Sequence, residues 1–573
     1  MCGFTCVIKR NEQHPFQKVV IPPDTLNHRG PDFTEEVIDG SIAIRHWRLS
    51  IVDLTSHSNQ PIYDQDEIFV YNGELYDYAS LGERFNINEK GDTRIFLNLL
   101  RQPSGYETIR STPGFFAFLQ YKKNTREVFG GRDCFGKKPL YYYIDSNIAV
   151  FSSEERGILP FIPSIRVNSV TLGHYLLYKN RFLGSTFFIG IRELAPGATF
   201  TFNMDSWTIK ESDSWQSYYS TSLLDKLTEV NVKYATTNIN PDEYRHQFEL
   251  AVERRLNCDV PVQIALSGGV DSAALAVVAT HSEGANNIKQ AVTVQFTEGL
   301  DESARAKLTA DNLGLLHQIV TFDSSSMISQ MRLAIKAHGG PLEHPHSLAY
   351  MQMCQAVRKS GKVLLTGEGA DELFFGYSHY DEYKNESFAF REYLKPSDEA
   401  CFISSAQGKP FDFIRAEGDL KSLRNLSTSS ASVSRELEIK THLVSLLQRN
   451  DRMSMANSVE IRAPFLDPNI VCLALRDDPV ILLKHRKGFV EKIVNDYIPT
   501  LPPFGKKNGF RVPFDENFDA IRKSSEGQEL LTIGQDLLSN ELGLAINPGS
   551  IISPRLGWII LNVGIFANEY LSK

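Results

Sequence analysis

Cysteine is scarce and scattered: seven in 573 residues, an odd number, at positions 2, 6, 134, 258, 354, 401 and 472. No two have CxxC spacing, which excludes a stapled secreted scaffold and gives no sign of a zinc or dithiol centre. Long apolar runs are missing too. The greasiest stretch, Leu556 to Ala567, is interrupted by Asn562 and is shorter than the roughly 20 residues a membrane span needs. There is no basic surplus, with 60 Lys and Arg against 69 Asp and Glu, a net charge of −9. Nothing global therefore draws the chain onto nucleic acid or an anionic membrane. The opening MCGFTCVIKR lacks the basic-then-apolar layout of a signal peptide. The expectation is a cytoplasmic protein without nucleic-acid or membrane partners.

What is present is ordinary core material, 42% hydrophobic and 23% charged, in a chain long enough for about two to four domains. Residues 1–205 carry short β-type runs (Phe4–Ile8, Ser41–Trp47, Ile68–Tyr71, Phe115–Tyr121, Leu140–Ile144, Ala149–Phe151) separated by turn residues. This predicts an α+β sandwich of two packed antiparallel sheets with helices. A Ser-, Thr-, Lys- and Asp-rich stretch, 206–235, reads as a linker. From 236 to 573 the texture changes. Tyr244, Phe248, Val252 and Leu256 recur every four residues behind Pro241, the mark of a helix. Strands at Val260–Leu266, Ala291–Phe296, Gln318–Phe322 and Lys362–Thr366 then alternate with helices. That alternation predicts an α/β domain around a parallel sheet. Ser422–Ser434 reads as a mobile insert.

Removal of the initiator methionine would make Cys2 the first residue. A thiol with ordinary pKa near 8.5 benefits from a neighbouring base, and an α-amine of about 7.7–8.0 is naturally tuned for that work. A terminal cysteine thus carries nucleophile and base together. Alone, position 2 would sooner be a small buried residue.

The motifs around it decide. MCGF (1–4), HRGPD (28–32), RHWRLSIVDL (45–54), YNGELYDY (71–78), GDT (91–93) and GRDCFGKKPLYY (131–142) stand in order, and together this half resembles the class II, N-terminal-nucleophile glutamine amidotransferases. The resemblance implies that Cys2 attacks the side-chain amide of glutamine and releases ammonia. It makes Asn72 (side chain) and Gly73 (backbone N–H) the oxyanion hole, Arg48 the clamp on the glutamine α-carboxylate, Asp92 the partner of its ammonium, and Glu74 a support of the same pocket.

In the second half, Ser267-Gly268-Gly269-Val270-Asp271-Ser272 lies between a strand and a helix. A glycine turn at a helix N-terminus offers backbone N–H groups to an anion, and the carboxylate of Asp271 can hold Mg2+ against phosphate. The segment is neither a P-loop nor a GxGxxG fingerprint. It resembles the pyrophosphate loop of ATP pyrophosphatases. LLTGEGADELFFGY (364–377) and LLQRNDRMSMANSVEIRAPFLD (446–467) extend the resemblance to glutamine-dependent asparagine synthetases. That resemblance implies ATP as co-substrate and Mg2+ held by Asp271 and Asp371. Leu266, Ser267, Gly268, Gly269, Ser272, Val294 and Gly367 would bind ATP. Glu368 would handle protons beside the acyl-adenylate, and Lys507 would neutralise charge on the α-phosphate. Arg452, Glu460, Arg462 and Asp467, read as charges on an apolar helix, suit internal ion pairs at least as well as nucleotide contact. The His344-Pro-His346 pair is not backed as a metal site.

A carboxylate does not condense with ammonia at neutral pH, whereas transfer of AMP supplies a leaving group. The expected reaction is adenylation of a carboxylate, with aspartate first and a sugar uronate or natural-product acid as alternatives, followed by amidation from glutamine. Ammonia would pass through an internal channel walled mainly by apolar residues. His338-Gly-Gly-Pro341, Gln295 and Arg94 depart from the family pattern and are candidates to reshape the acceptor pocket. Cys2 and Arg48 argue against a ring-closing relative of the β-lactam synthetase kind. SGGVDS argues against a phosphoribosyl amidotransferase, and the intact Cys2, Asp271 and Asp371 against a non-catalytic protein. A homodimer is left open.

Overall fold

A computed structural model describes residues 2–11, 15–16, 18–181, 184–212, 239–296, 302–377, 380, 396–404, 438–504, 512–546, 550 and 552–571. The expected insert at Ser422–Ser434 and the candidate Lys507 lie outside these residues.

The first part is the expected pair of antiparallel sheets. One has the order β10-β8-β9-β1-β3-β2, built from β1 (Cys2–Lys9), β2 (Phe33–Asp39), β3 (Ile42–Arg48), β8 (Tyr141–Ile144), β9 (Ile148–Ser152) and β10 (Arg192–Glu193). The other has the order β12-β11-β7-β6-β5-β4, built from β4 (Ile62–Tyr63), β5 (Glu67–Leu75), β6 (Gly114–Lys122), β7 (Glu127–Arg132), β11 (Thr199–Asn203) and β12 (Thr208–Glu211). β12 pairs with β11, so regular structure runs past residue 205 into the stretch read as linker. Phe4, Cys6 and Ile8 of β1 meet Val70, Leu119 and Phe200 between the sheets, while Val7 faces the opposite core. β1 is therefore buried on both faces and shows no alternation of apolar and polar residues.

The second part holds a parallel sheet of order β15-β14-β13-β16-β18: β13 (Val262–Ala265), β14 (Ile288–Gln295), β15 (His317–Thr321), β16 (Val363–Leu365) and β18 (Glu460–Arg462). Glu460 and Arg462 thus lie on an edge strand and not on the helix expected for them. That helix, Val444–Met455, ends before them. A run of three residues is too short to declare its period. Chain order reverses between β13 and β16, and the crevice beyond their carboxyl ends is where ligands bind in such sheets. The apolar stretch 556–567 is the buried heart of the helix Pro554–Tyr570, capped by Ser553. No helix among the described residues is long and apolar enough to cross a membrane.

The two parts share cores. Leu49, Ile51, Tyr76 and Phe115 pack with Phe248, Val262 and Phe465.

Candidate active sites

Cys2 opens β1 and is 6% exposed. A small cavity beside it is lined by Cys2, Arg48, Gly73, Glu74, Asp92 and Ser58 among others, so the structure brings the glutaminase candidates together. Asn72 lies in β5, where its Oδ1 accepts from the backbone N–H of Cys2 at 3.0 Å. Its Nδ2 is buried with no partner among the described residues, leaving a donor unused next to Cys2. Gly73 is required by packing: a Cβ there would stand 2.4 Å from the carbonyl oxygen of Phe115. Arg48 is anchored by backbone and amide oxygens, donating from Nη1 to Thr55 O (2.7 Å) and Asn59 Oδ1 (2.6 Å) and from Nη2 to Asp53 O. No carboxylate neutralises it in these contacts, so its charge is available to an anionic ligand. Asp92 accepts from the Tyr71 hydroxyl (3.0 Å) and the Leu75 N–H (3.2 Å), and burial raises its pKa. Arg94, one of the departures noted above, donates to His57 O at 2.8 Å.

Glu74 does something the sequence did not indicate. Both its oxygens accept from Arg462 of β18, across the seam between the two parts. A second contact crosses the same seam. Arg29 donates to the carbonyl of Cys2 (3.0 Å), to Glu154 (2.9 Å) and to Asp451 of the helix Val444–Met455 (2.8 Å). Arg452, one position on, is bound to Glu154 and Glu155. The seam behind Cys2 therefore carries a buried ion network beside the apolar packing of Leu49, Ile51, Tyr76 and Phe115. Arg452, Glu460, Arg462 and Asp467 are all ion-paired, Asp467 with Arg255 at 2.9 Å. None lines the cavity described next.

That cavity, of about 780 Å³, opens at the crevice between β13 and β16. Leu266, Ser267, Gly269, Asp271, Ser272, Val294, Gly367, Glu368 and Asp371 all line it. Gly268, absent from the lining, supplies the turn. Its φ is +81°, and a Cβ would meet the Glu302 carbonyl oxygen at 2.5 Å. The turn is locked by the Ser272 hydroxyl, which accepts from Ser267 N–H (3.1 Å) and donates to Gly269 O (3.0 Å). The helix Val270–His281 starts there, leaving its N-terminal N–H groups directed at the cavity. Gly367 lets the second loop approach: a Cβ would sit 3.1 Å from that of Asp271.

Asp271 and Asp371 come from different loops but converge on one cation, Lys487, whose Nζ donates to Asp271 Oδ2 at 2.6 Å and to Asp371 Oδ1. Asp271 Oδ1 is buried and unpaired among the described residues. Two carboxylates within reach of one positive centre, with an oxygen to spare, fit a divalent cation. Lys487 is the residue that sequence reasoning missed. The dense basic run Lys484–Lys487, which with Arg305 lines the cavity, was the available signal. Glu368 accepts from the Tyr350 hydroxyl (2.9 Å) and from Arg449 (3.0 Å). His344 and His346, set aside earlier, line the cavity too. His338 instead pairs with Glu343, and Gly340 packs on Phe187, so the His-Gly-Gly departure does not face the cavity. Gln295 donates to Ser303 and also lies off it.

A sandwich that opens on a cysteine beside a buried amide, joined to a parallel-sheet domain with a glycine loop at a helix start, has the make-up of a glutamine-dependent amidotransferase. The profile of the family described as asparagine synthase matches residues 243–530, and that of the glutamine amidotransferase domain matches 1–216. The first spans half of the chain, and the chain belongs to the asparagine synthase family. It is 27% identical over 573 residues to asparagine synthetase [glutamine-hydrolyzing] 1 of Bacillus subtilis, covering 90% of this chain and 87% of the relative. It is 30% identical over 402 residues to amidase chry2 of Gibberella zeae, covering 65% of this chain and 57% of the relative. With amidase chyE of Penicillium rubens the identity is 30% over 415 residues, covering 66% and 60%.

Proposed function

We propose that this chain adenylates a carboxylate with ATP and amidates it with ammonia drawn from glutamine, releasing AMP and pyrophosphate. The observation that carries the reading is the pair of cavities in one polypeptide, with Arg29 reaching from the Cys2 carbonyl to Asp451 on the helix that also brings Arg449 to Glu368.

In the first cavity, Arg48 holds the α-carboxylate of glutamine and Asp92 its ammonium. The freed amine of Cys2 takes the thiol proton as sulfur attacks the side-chain amide. The oxyanion that forms is met by Asn72 Nδ2 and the Gly73 N–H, worth about 3 kcal/mol per donor. In the second, the Ser267–Ser272 loop cradles phosphate, and the backbone at Leu266 and Val294 holds the base. Asp271 and Asp371 would hold Mg2+, which supplies charge neutralisation between phosphates when bound. Lys487 turns from the carboxylates to the departing pyrophosphate. Glu368, oriented by Tyr350 and Arg449, accepts a proton from ammonia as it attacks the acyl carbon. Lys507, outside the described residues, is proposed at the α-phosphate. The boundary between the two parts is proposed to fall between 212 and 239, beyond β12 and before the cap of the helix Pro241–Leu256. Aspartate, the acceptor that the family description implies, is the reference acid, and the two amidase-named relatives direct attention to others.

The test is Cys2→Ala. Glutamine-dependent pyrophosphate release should disappear while release with added ammonium persists, and loss of both would contradict a two-site enzyme.

A further inference from the structure

The end of the nucleotide cavity that faces the glutaminase has an unusual wall. His344 and His346 stack at 4.8 Å with 17° between their planes, and His442 stands edge-on to His344 at 6.3 Å. Tyr377 stands edge-on to His442 at 6.0 Å. Tyr350 completes the wall, with the Arg449 guanidinium 4.7 Å over its ring. His346 and Tyr350 stand on the helix His346–Arg358 and Arg449 on the helix Val444–Met455, while His442 lies in the turn Ile439–Leu443 just before the latter. The second of these helices also carries Asp451, bound to Arg29. This end therefore lies between the phosphate loop and Cys2, where acceptor and ammonia must meet.

An amino-acid zwitterion such as aspartate requires a free carboxylate for its ammonium and a free cation for its second carboxylate. Among the described residues this wall offers no free cation for that second carboxylate. Glu368 and Arg449 satisfy each other at 3.0 Å, and the remaining Glu368 oxygen accepts from Tyr350. Glu372 accepts from the Tyr377 hydroxyl. Burial, reinforced by neighbouring imidazoles, Lys179 and Arg449, holds His344 and His346 well below the usual histidine range and so favours uncharged rings. What remains for a ligand is a set of flat π faces with ring N–H donors at their rims.

We propose that the acceptor is an aromatic carboxylic acid, its ring against the His344–His346 stack and its carboxylate toward Glu368 and the phosphate loop. This rests on the ligase reading above and narrows its substrate. The carboxylate oxygen attacks the α-phosphorus and pyrophosphate leaves. Ammonia then attacks the acyl carbon, the C–O bond to AMP breaks, and Glu368 takes the proton.

The experiment uses the full chain with ATP, Mg2+ and ammonium, following pyrophosphate release with benzoate, 2-hydroxybenzoate, L-aspartate and D-glucuronate. The expected result is a kcat/KM for an aryl acid at least about tenfold above aspartate and glucuronate, the scale of one to two stacking contacts. Better turnover of aspartate or glucuronate overturns the aromatic acceptor and leaves the ligase reading intact. Release with none of the acids, while glutamine is hydrolysed normally, removes the ligase reading and this proposal with it. His346→Ser should raise KM for the aryl acid about two- to tenfold with kcat little changed, and His346→Phe should restore it. An equal loss of kcat for every acid, unrescued by phenylalanine, would mean that the ring merely supports the fold.

Discussion

Arg462, on the edge strand of the parallel sheet, grips Glu74, which lines the cavity beside Cys2. Both carboxylate oxygens of Glu74 accept from one guanidinium nitrogen, while Nε of Arg462 donates to Glu460 at 2.6 Å. All three side chains are buried. Two carboxylates crowd one arginine out of water, which favours a proton on one of them. Burial beside Glu460 pushes Glu74 upward, whereas Arg462 holds Glu460 down in its ionised form. The carbonyl of Arg462 also accepts from the N–H of Thr366, directly before Gly367. The two cavities are thus linked by one residue.

Substituting Arg462 with methionine should leave the ionised Glu460 without its partner and cost about 3–5 kcal/mol, read as a lowered denaturation midpoint. Glu74→Gln should cost far less, because burial beside Glu460 already favours the neutral form that the amide mimics. Equal losses in the two variants would show that Glu74 is ionised.

Asn72→Ala removes the Nδ2 donor, together with the Oδ1 contact to the Cys2 nitrogen, and keeps the thiol itself. Glutamine hydrolysis should lose about 10²–10³ in kcat with little change in KM, because the donor acts on charge formed only in the transition state. Pyrophosphate release with ammonium should be unaffected. A change confined to KM would make Asn72 a binding residue instead.

The fold was legible where periodicity was long. The helix behind Pro241 and the strands β1, β3, β5, β6, β8, β9 and β13–β16 stand within a few residues of their expected places, whereas β2, β4, β7 and β10–β12 were not anticipated. β18 was not, because three residues carry no period and its charges mimic a solvated helix face. At the candidate sites, the gathering of Cys2, Asn72 and Asp92 around one cavity and of Asp271 and Glu368 around the other was legible because each lies in a motif. Lys487 was not, since its role depends on carboxylates 216 and 116 positions away. For the same reason the pairing of Glu74 with Arg462, 388 positions apart, is a fact of tertiary structure alone.

His46, in β3, predicts a pH effect. Burial pulls it down to about 3, with its ring N–H donating to Tyr71 O at 3.2 Å and Nδ1 buried unpaired among the described residues. In the unfolded chain it titrates near 6.5. Between those values the unfolded state binds the extra proton, so stability falls as pH falls, by about 1.4 kcal/mol per pH unit for this residue. His46→Gln keeps a donor to Tyr71 and removes the proton site. The slope of unfolding free energy from pH 6 to 4 should flatten by that amount in the variant, and parallel slopes would show that His46 is charged in the fold.

The last prediction concerns Lys487, whose ammonium stands where Asp271 and Asp371 converge. A divalent cation and this ammonium compete for the same oxygens, so in the absence of nucleotide the lysine should keep Mg2+ affinity low. It also prevents two buried carboxylates from repelling each other. Bound ATP offers the ammonium new phosphate partners and frees the carboxylates for metal. Lys487→Gln should therefore bind Mg2+ at least about tenfold more tightly without ATP, since a nearby unit charge at an effective dielectric of about 20 is worth several kcal/mol. Pyrophosphate release should slow at the same time, because the leaving group loses its cation. Titration calorimetry with Mg2+ alone reads the first effect and a pyrophosphate assay the second. Unchanged or weaker Mg2+ binding in the variant would show that Asp271 and Asp371 do not form the cation site.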